Sequence, residues 1–132
     1  MKITADTNVL VRSVVQDDEK QARAAAKVLK EAELIAVTLP TLCEFAWVLR
    51  RTYGLERDDV AAAVRALLNT GNLVVNRPAV DAGLSMLQAG GDFADGAVAY
   101  EGAWLGGETF VSFDKGAVAL LSAQGRSASL LS

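Results

Sequence analysis

The first twelve residues, MKITADTNVLVR (Met1–Arg12), carry the reading on which the fold turns. Met1–Ala5 has the apolar content of a short buried strand, and Asp6 ends it. Thr7 to about Val15 then reads as a helical turn, with Val9, Leu10 and Val11 for its apolar side. The same alternation continues outward from this stretch. Asp17 or Asp18 caps a helix running to about Ala32, and Leu34–Thr38 is a second strand. A helix from about Thr41 to Tyr53 ends at Gly54, a residue suited to the C′ position. Arg57–Asn69 is a further helix, capped near Asp58 and stopped by Gly71. Leu73–Val75 is a third strand, and Pro78 opens the next helix as its first residue. The pair Gly90-Gly91 ends that helix, and Asp92 to about Leu105 is helical again. Thr109–Ser112, a helix over Lys115–Ala123 and a fifth strand candidate at Ser129–Leu131 complete the chain. Strands separated by helices imply a parallel sheet covered on both faces. The expectation is one α/β domain over residues 1–132, with a central parallel sheet of four or five strands flanked by helices.

Composition narrows the chemistry. About half of the 132 residues are apolar, enough for a core without disulfides. The single cysteine, Cys43, cannot bridge within the chain, which fits a reducing, cytoplasmic setting, and its neighbours Leu42, Phe45 and Ala46 predict a buried, inert thiol. Lys2 and Asp6 break the apolar start, so no signal peptide is expected. No apolar run approaches the roughly 20 residues that span a bilayer, so no membrane association is expected either. The chain contains no histidine. That excludes Ser-His-Asp and Cys-His catalysis, His-ligated zinc and a His general base. The net charge of −3 and a pI near 4.9 argue against a protein that coats nucleic acid, whose domain would be basic. They leave room for an enzyme that meets phosphates through a metal ion, and for a basic protein partner.

Four carboxylates lack the bland explanation of a solvated or capping stretch. Asp6 ends an apolar strand, and Asp114 ends the strand Thr-Phe-Val-Ser-Phe-Asp. Glu44, within Leu-Cys-Glu-Phe-Ala-Trp, and Asp95, within Phe-Ala-Asp-Gly-Ala-Val-Ala, fall in the first turns of their expected helices. Strand C-termini and the helix N-termini that follow them share one edge of a parallel sheet, where ligands bind. Four acids there would repel one another unless a cation lies among them. Oxygen donors favour Mg²⁺ or Mn²⁺, and carboxylate-held Mg²⁺ handles phosphodiesters. The competing reading is structural. Thr41-x-x-Glu44 matches a capping box and Asp92-x-x-Asp95 imitates one, while Asp6 or Asp114 alone would serve as an acceptor for loop N–H groups.

At these residues the sequence resembles the PIN-domain family, and within it the VapC-type toxins of bacterial toxin–antitoxin pairs. Ala-Asp-Thr-Asn-Val-Leu-Val-Arg (Ala5–Arg12) is similar to the family's first acid with its polar follower. Thr41-Leu-Cys-Glu-Phe-Ala-Trp-Val-Leu is similar to the helix of the second acid, and Asp92-Phe-Ala-Asp-Gly-Ala-Val-Ala to that of the third. Ser112-Phe-Asp-Lys is similar to the strand-end motif of the fourth. Each motif alone is weak, but together, in order, they cover nearly the whole chain.

The resemblance implies a Mg²⁺- or Mn²⁺-dependent endoribonuclease acting on RNA. It further implies a homodimer and a cognate antitoxin whose C-terminal segment blocks the crevice. It makes Asp6, Glu44, Asp95 and Asp114 catalytic metal ligands, directly or through water. Asn8 would orient Asp6 or the water shell. Ser112 stands where the family usually has threonine, keeping the hydroxyl, and Gly96 stands where alanine is common, which should weaken the helix slightly without touching the chemistry. Arg12, Arg51 and Lys115 are candidate RNA contacts, though each also suits a solvated or ion-paired surface. Trp47, Trp104 and Tyr53 suit core or dimer packing better than base stacking. Two rival functions carry over: a catalytically weak PIN-like interaction module, and a nuclease directed at DNA.

Overall fold

Seven helices and five short strands follow one another in the computed structural model, which describes residues 1–132. They fall into two compact units, Met1–Asn76 and Arg77–Ser132.

The first unit runs β1 (Lys2–Thr4), α1 (Thr7–Val14), α2 (Glu19–Glu31), β2 (Leu34–Ala36), α3 (Leu39–Arg51), α4 (Arg57–Leu68) and β3 (Leu73–Val74). Its strands pair in the order β1-β2-β3, all parallel, with Ile3 opposite Ile35 and Ile35 opposite Leu73. Ile35 on the central strand is fully buried, as are Leu10 of α1, Phe45 and Leu49 of α3, and Val60 and Val64 of α4. Asp18 caps α2 by accepting from the Gln21 N–H at 3.0 Å. Thr38 caps α3 by accepting from the Thr41 N–H at 3.4 Å. Pro40 sits in the first turn, where its missing N–H costs no hydrogen bond and its fixed φ suits a helix. These residues start α3 at Leu39, before the expected Thr41, and Gly54, at φ +68°, turns the chain after it.

The second unit runs α5 (Arg77–Gln88), α6 (Phe93–Trp104), β4 (Phe110–Ser112), α7 (Lys115–Ala123) and β5 (Ala128–Leu130). Pro78 is the second residue of α5, not the first. Strands β4 and β5 are parallel, with Val111 opposite Ser129. Met86, Ala117 and Leu121 form a buried cluster on which Phe110, Leu120 and Ala128 pack. Helices α5 and α6 approach closely because each carries a glycine at the crossing. A Cβ on Gly96 would lie 2.3 Å from the Ala82 carbonyl oxygen, and one on Gly83 would lie 2.6 Å from the Phe93 ring. Gly96 is therefore a packing requirement and not merely a weak helix former, which corrects the expectation from sequence.

The α/β class and the parallel pairing hold as expected. The five strands pair within the two units, as β1-β2-β3 and as β4-β5. An apolar run locates a strand but does not choose its neighbour, and strands of two or three residues offer few ladder bonds with which to specify one. No helix is long and apolar enough to cross a membrane.

Candidate metal centre

In the first unit, β1 and β2 end side by side, with Thr4 opposite Ala36. Helices α1 and α3 follow these strands and so begin at the same sheet edge, the edge where parallel α/β sheets bind ligands. Asp6 occupies the N-cap position of α1, yet its side chain makes no capping bond and is exposed. Asn8, two residues further on, is exposed too. Glu44 is the sixth residue of α3, so it lies beyond the first turn, where sequence reading put it. The earlier start of the helix moves it. Thr41 donates its backbone N–H to the Thr38 hydroxyl, and its own hydroxyl oxygen accepts from Thr38, so the capping-box explanation for Glu44 falls away. Glu44 is exposed beside the buried positions Leu42 and Phe45, and Trp47, one turn on, is 60% exposed.

In the second unit, Asp114 directly follows β4 and caps α7, its Oδ1 accepting from the Ala117 N–H at 3.1 Å. Its own backbone N–H donates to the Ser112 hydroxyl at 2.9 Å, so Ser112 shapes the turn that presents Asp114. Asp95 is in the first turn of α6, as expected, and half-buried. Asp92 holds the N-cap position without a side-chain capping bond, so the capping role expected for it is absent. Burial pushes the Asp95 carboxyl above its ordinary range, and the charges of Asp92 and Asp114 push it further the same way. A half-buried carboxylate facing two like charges is an electrostatic cost that a cation would offset. The all-oxygen donor chemistry of Asp95, Asp114 and their neighbour Asp92 suits a hard divalent ion. No three carboxylates stand close enough together to hold an ion among them.

The basic candidates differ among themselves. Arg12 is engaged: its Nε donates to Gln21 at 2.7 Å, and its Nη1 meets Asp17 at 2.6 Å and the Tyr53 hydroxyl at 3.1 Å. The Tyr53 hydroxyl in turn donates to Asp17 at 3.2 Å. This network ties the ends of α1 and α3 to the start of α2, and only long-range pairing of residues 41 positions apart could have shown it. Arg51 and Lys115 are exposed and make no ion pair. Trp47 and Trp104, expected to pack, are 60% and 76% exposed; the Trp104 indole N–H donates to Tyr100. Cys43 is half-buried, less enclosed than its neighbours suggested.

The Ser112 contact yields a direct expectation. Ser112→Ala should lower stability by about 1 kcal/mol, the usual net worth of one hydrogen bond, and reduce turnover by loosening Asp114. Ser112→Thr should preserve both, and thermal melts with initial rates on the two variants decide it.

The family model for the PIN domain matches residues 3–119, a span that contains all four acids. No curated protein matches the chain.

Proposed function

Because the chain belongs to the PIN-domain family, whose members are generally metal-dependent nucleases, we propose that it is a Mg²⁺- or Mn²⁺-dependent endoribonuclease toxin held in check by an antitoxin. The observation that carries this reading is Asp95: half-buried, without a capping bond, and facing Asp92 and Asp114 with its carboxyl pushed upward.

Asp95 and Asp114 of the second unit are candidate ligands, and Asp6 and Glu44 of the first, which no competing hydrogen bond or ion pair engages, are candidates as well. When bound, the ion would activate water and neutralise charge building on the phosphate. The protein's own part is positional. Ser112 fixes the Asp114 turn, the α5–α6 contact fixes the depth of Asp95, and Asn8 would orient Asp6 or the water shell, as the resemblance implies. Arg51 and Lys115 are free to meet phosphates, whereas Arg12 serves the fold first. Exposed Trp47 beside the free carboxylate of Glu44 supports a partner segment that is both apolar and basic, as an antitoxin tail would be. We read the protein as cytoplasmic and as a homodimer on the same family grounds.

The test is cleavage of matched RNA and DNA oligonucleotides with Mn²⁺, with Mg²⁺ and with excess EDTA. RNA cut only in the presence of metal is the expected result. Preferential cutting of DNA would replace the substrate, and no cutting of either would favour the interaction module.

A further inference from the structure

Four of the thirteen Lys and Arg residues, Lys20, Arg23, Lys27 and Lys30, fall within eleven positions of α2 in an otherwise acidic chain. At 100° per residue they occupy one arc of roughly 80°, and at 1.5 Å per residue they run about 15 Å along the axis. All four are exposed, while Ala22 and Ala25 on the opposite side of the helix are buried. The three lysines make no ion pair, and Arg23 makes only a marginal one with Glu19, at 4.0 Å and largely in solvent. Glu19 and Glu31 flank the stripe from its own helix without breaking it. The neighbouring helix α1 places Asn8 and Arg12 in the groove it forms with Gln21 and Val28 of α2, so the stripe lies on the helix packed beside the one that Asp6 opens.

We propose that this face of α2 is a track for the sugar–phosphate backbone of single-stranded RNA, a conclusion that rests on the ribonuclease reading and gives its substrate a path. Charge and spacing select this occupant. Cations at axial steps of roughly 4.5–6 Å suit a linear polyanion. The face carries no aromatic or large apolar side chain, and protein–protein interfaces are depleted in lysine and built around such groups. Phosphate contacts of this kind position a strand and carry no base information. The track therefore contributes affinity, and the sequence preference lies elsewhere.

The experiment measures binding of a 2′-O-methyl oligonucleotide of about a dozen nucleotides, within the usual length range for single-strand sites. It is done in EDTA, where nothing is cut, and across a range of salt. For a single strand, log K falls with log salt by about 0.7 per phosphate neutralised. Replacing Lys20, Arg23, Lys27 and Lys30 together by Gln should therefore make the slope shallower by about 2.8, and weaken binding at least tenfold at low salt. Arg65→Gln, an exposed cation on α4, should change neither. An unchanged slope in the fourfold variant overturns the proposal, as does an equal loss in Arg65→Gln. Tight binding of polyglutamate through the same four residues also overturns it, in favour of an acidic protein partner. The ribonuclease reading fails separately, if the wild type does not cleave RNA with Mn²⁺.

Discussion

Asp95→Asn should lower the proposed Mn²⁺-dependent cleavage by roughly 10³-fold, because a ligand that helps place a Lewis acid would command several kcal/mol of transition-state stabilisation. The same change leaves the metal-free protein as stable as the wild type, or more so. The sign follows from the direction of the shift. Burial, with Asp92 and Asp114 adding to it, raises the folded-state pKa of Asp95 above its unfolded value. Between those two values the native state binds the extra proton, so metal-free stability falls as pH rises through that window. Above it the destabilisation is fully present, and at neutral pH asparagine removes it. The gain is small, since the group is only half-buried. Addition of Mn²⁺ should reverse the order, raising the melting temperature of the wild type and not of the variant. Melting curves with and without Mn²⁺, on both proteins, provide the check. A variant clearly less stable without metal would mean that Asp95 supports the helix, and the metal reading of this residue would fall.

Gly96→Ala should destabilise the protein by about 3 kcal/mol, the upper end of what overpacking usually costs. In most helices the same substitution stabilises by roughly 0.5–1 kcal/mol, since glycine gives up more backbone freedom than alanine. Here the added Cβ would lie 2.3 Å from a backbone oxygen, that of Ala82, and 2.7 Å from the Met86 Cβ. No rotamer change relieves a backbone contact, so α6 must move away from α5 and carry Asp95 with it. Gly102→Ala is the internal control: it lies in the same helix with nothing within 4 Å of the new Cβ, and should be neutral or stabilising. Gly83→Ala is intermediate, because its obstacle is the Phe93 ring and Phe93→Leu should relieve it. Denaturant unfolding of the series measures the effect. If Gly96→Ala matches Gly102→Ala, the two helices are not held as closely as this packing requires.

Much of this protein was legible from its residues alone. Apolar alternation, capping aspartates and glycine stops located the helices and strands, because these are local preferences of a few neighbouring residues. The absence of histidine left any catalysis to carboxylates, Lys, Tyr, hydroxyls or bound metal before any fold was known. The four motifs around Asp6, Glu44, Asp95 and Asp114 pointed to the family that the match over residues 3–119 shows. Other features depended on atoms distant in sequence. Which strand lies beside which, β1-β2-β3 and β4-β5, is chosen by facing backbone edges. Thr38, two residues after β2, took the capping role assigned to Thr41 and moved Glu44 out of the first turn. Arg12 looks like a phosphate contact until Asp17, Gln21 and Tyr53 converge on it. Gly96 reads as a weak helix former until the Ala82 carbonyl stands where its side chain would be. Sequence thus determined which groups are available for chemistry, since that is a property of residue type. Only the tertiary structure decided which of them are already engaged, because engagement depends on distances that local pattern does not encode.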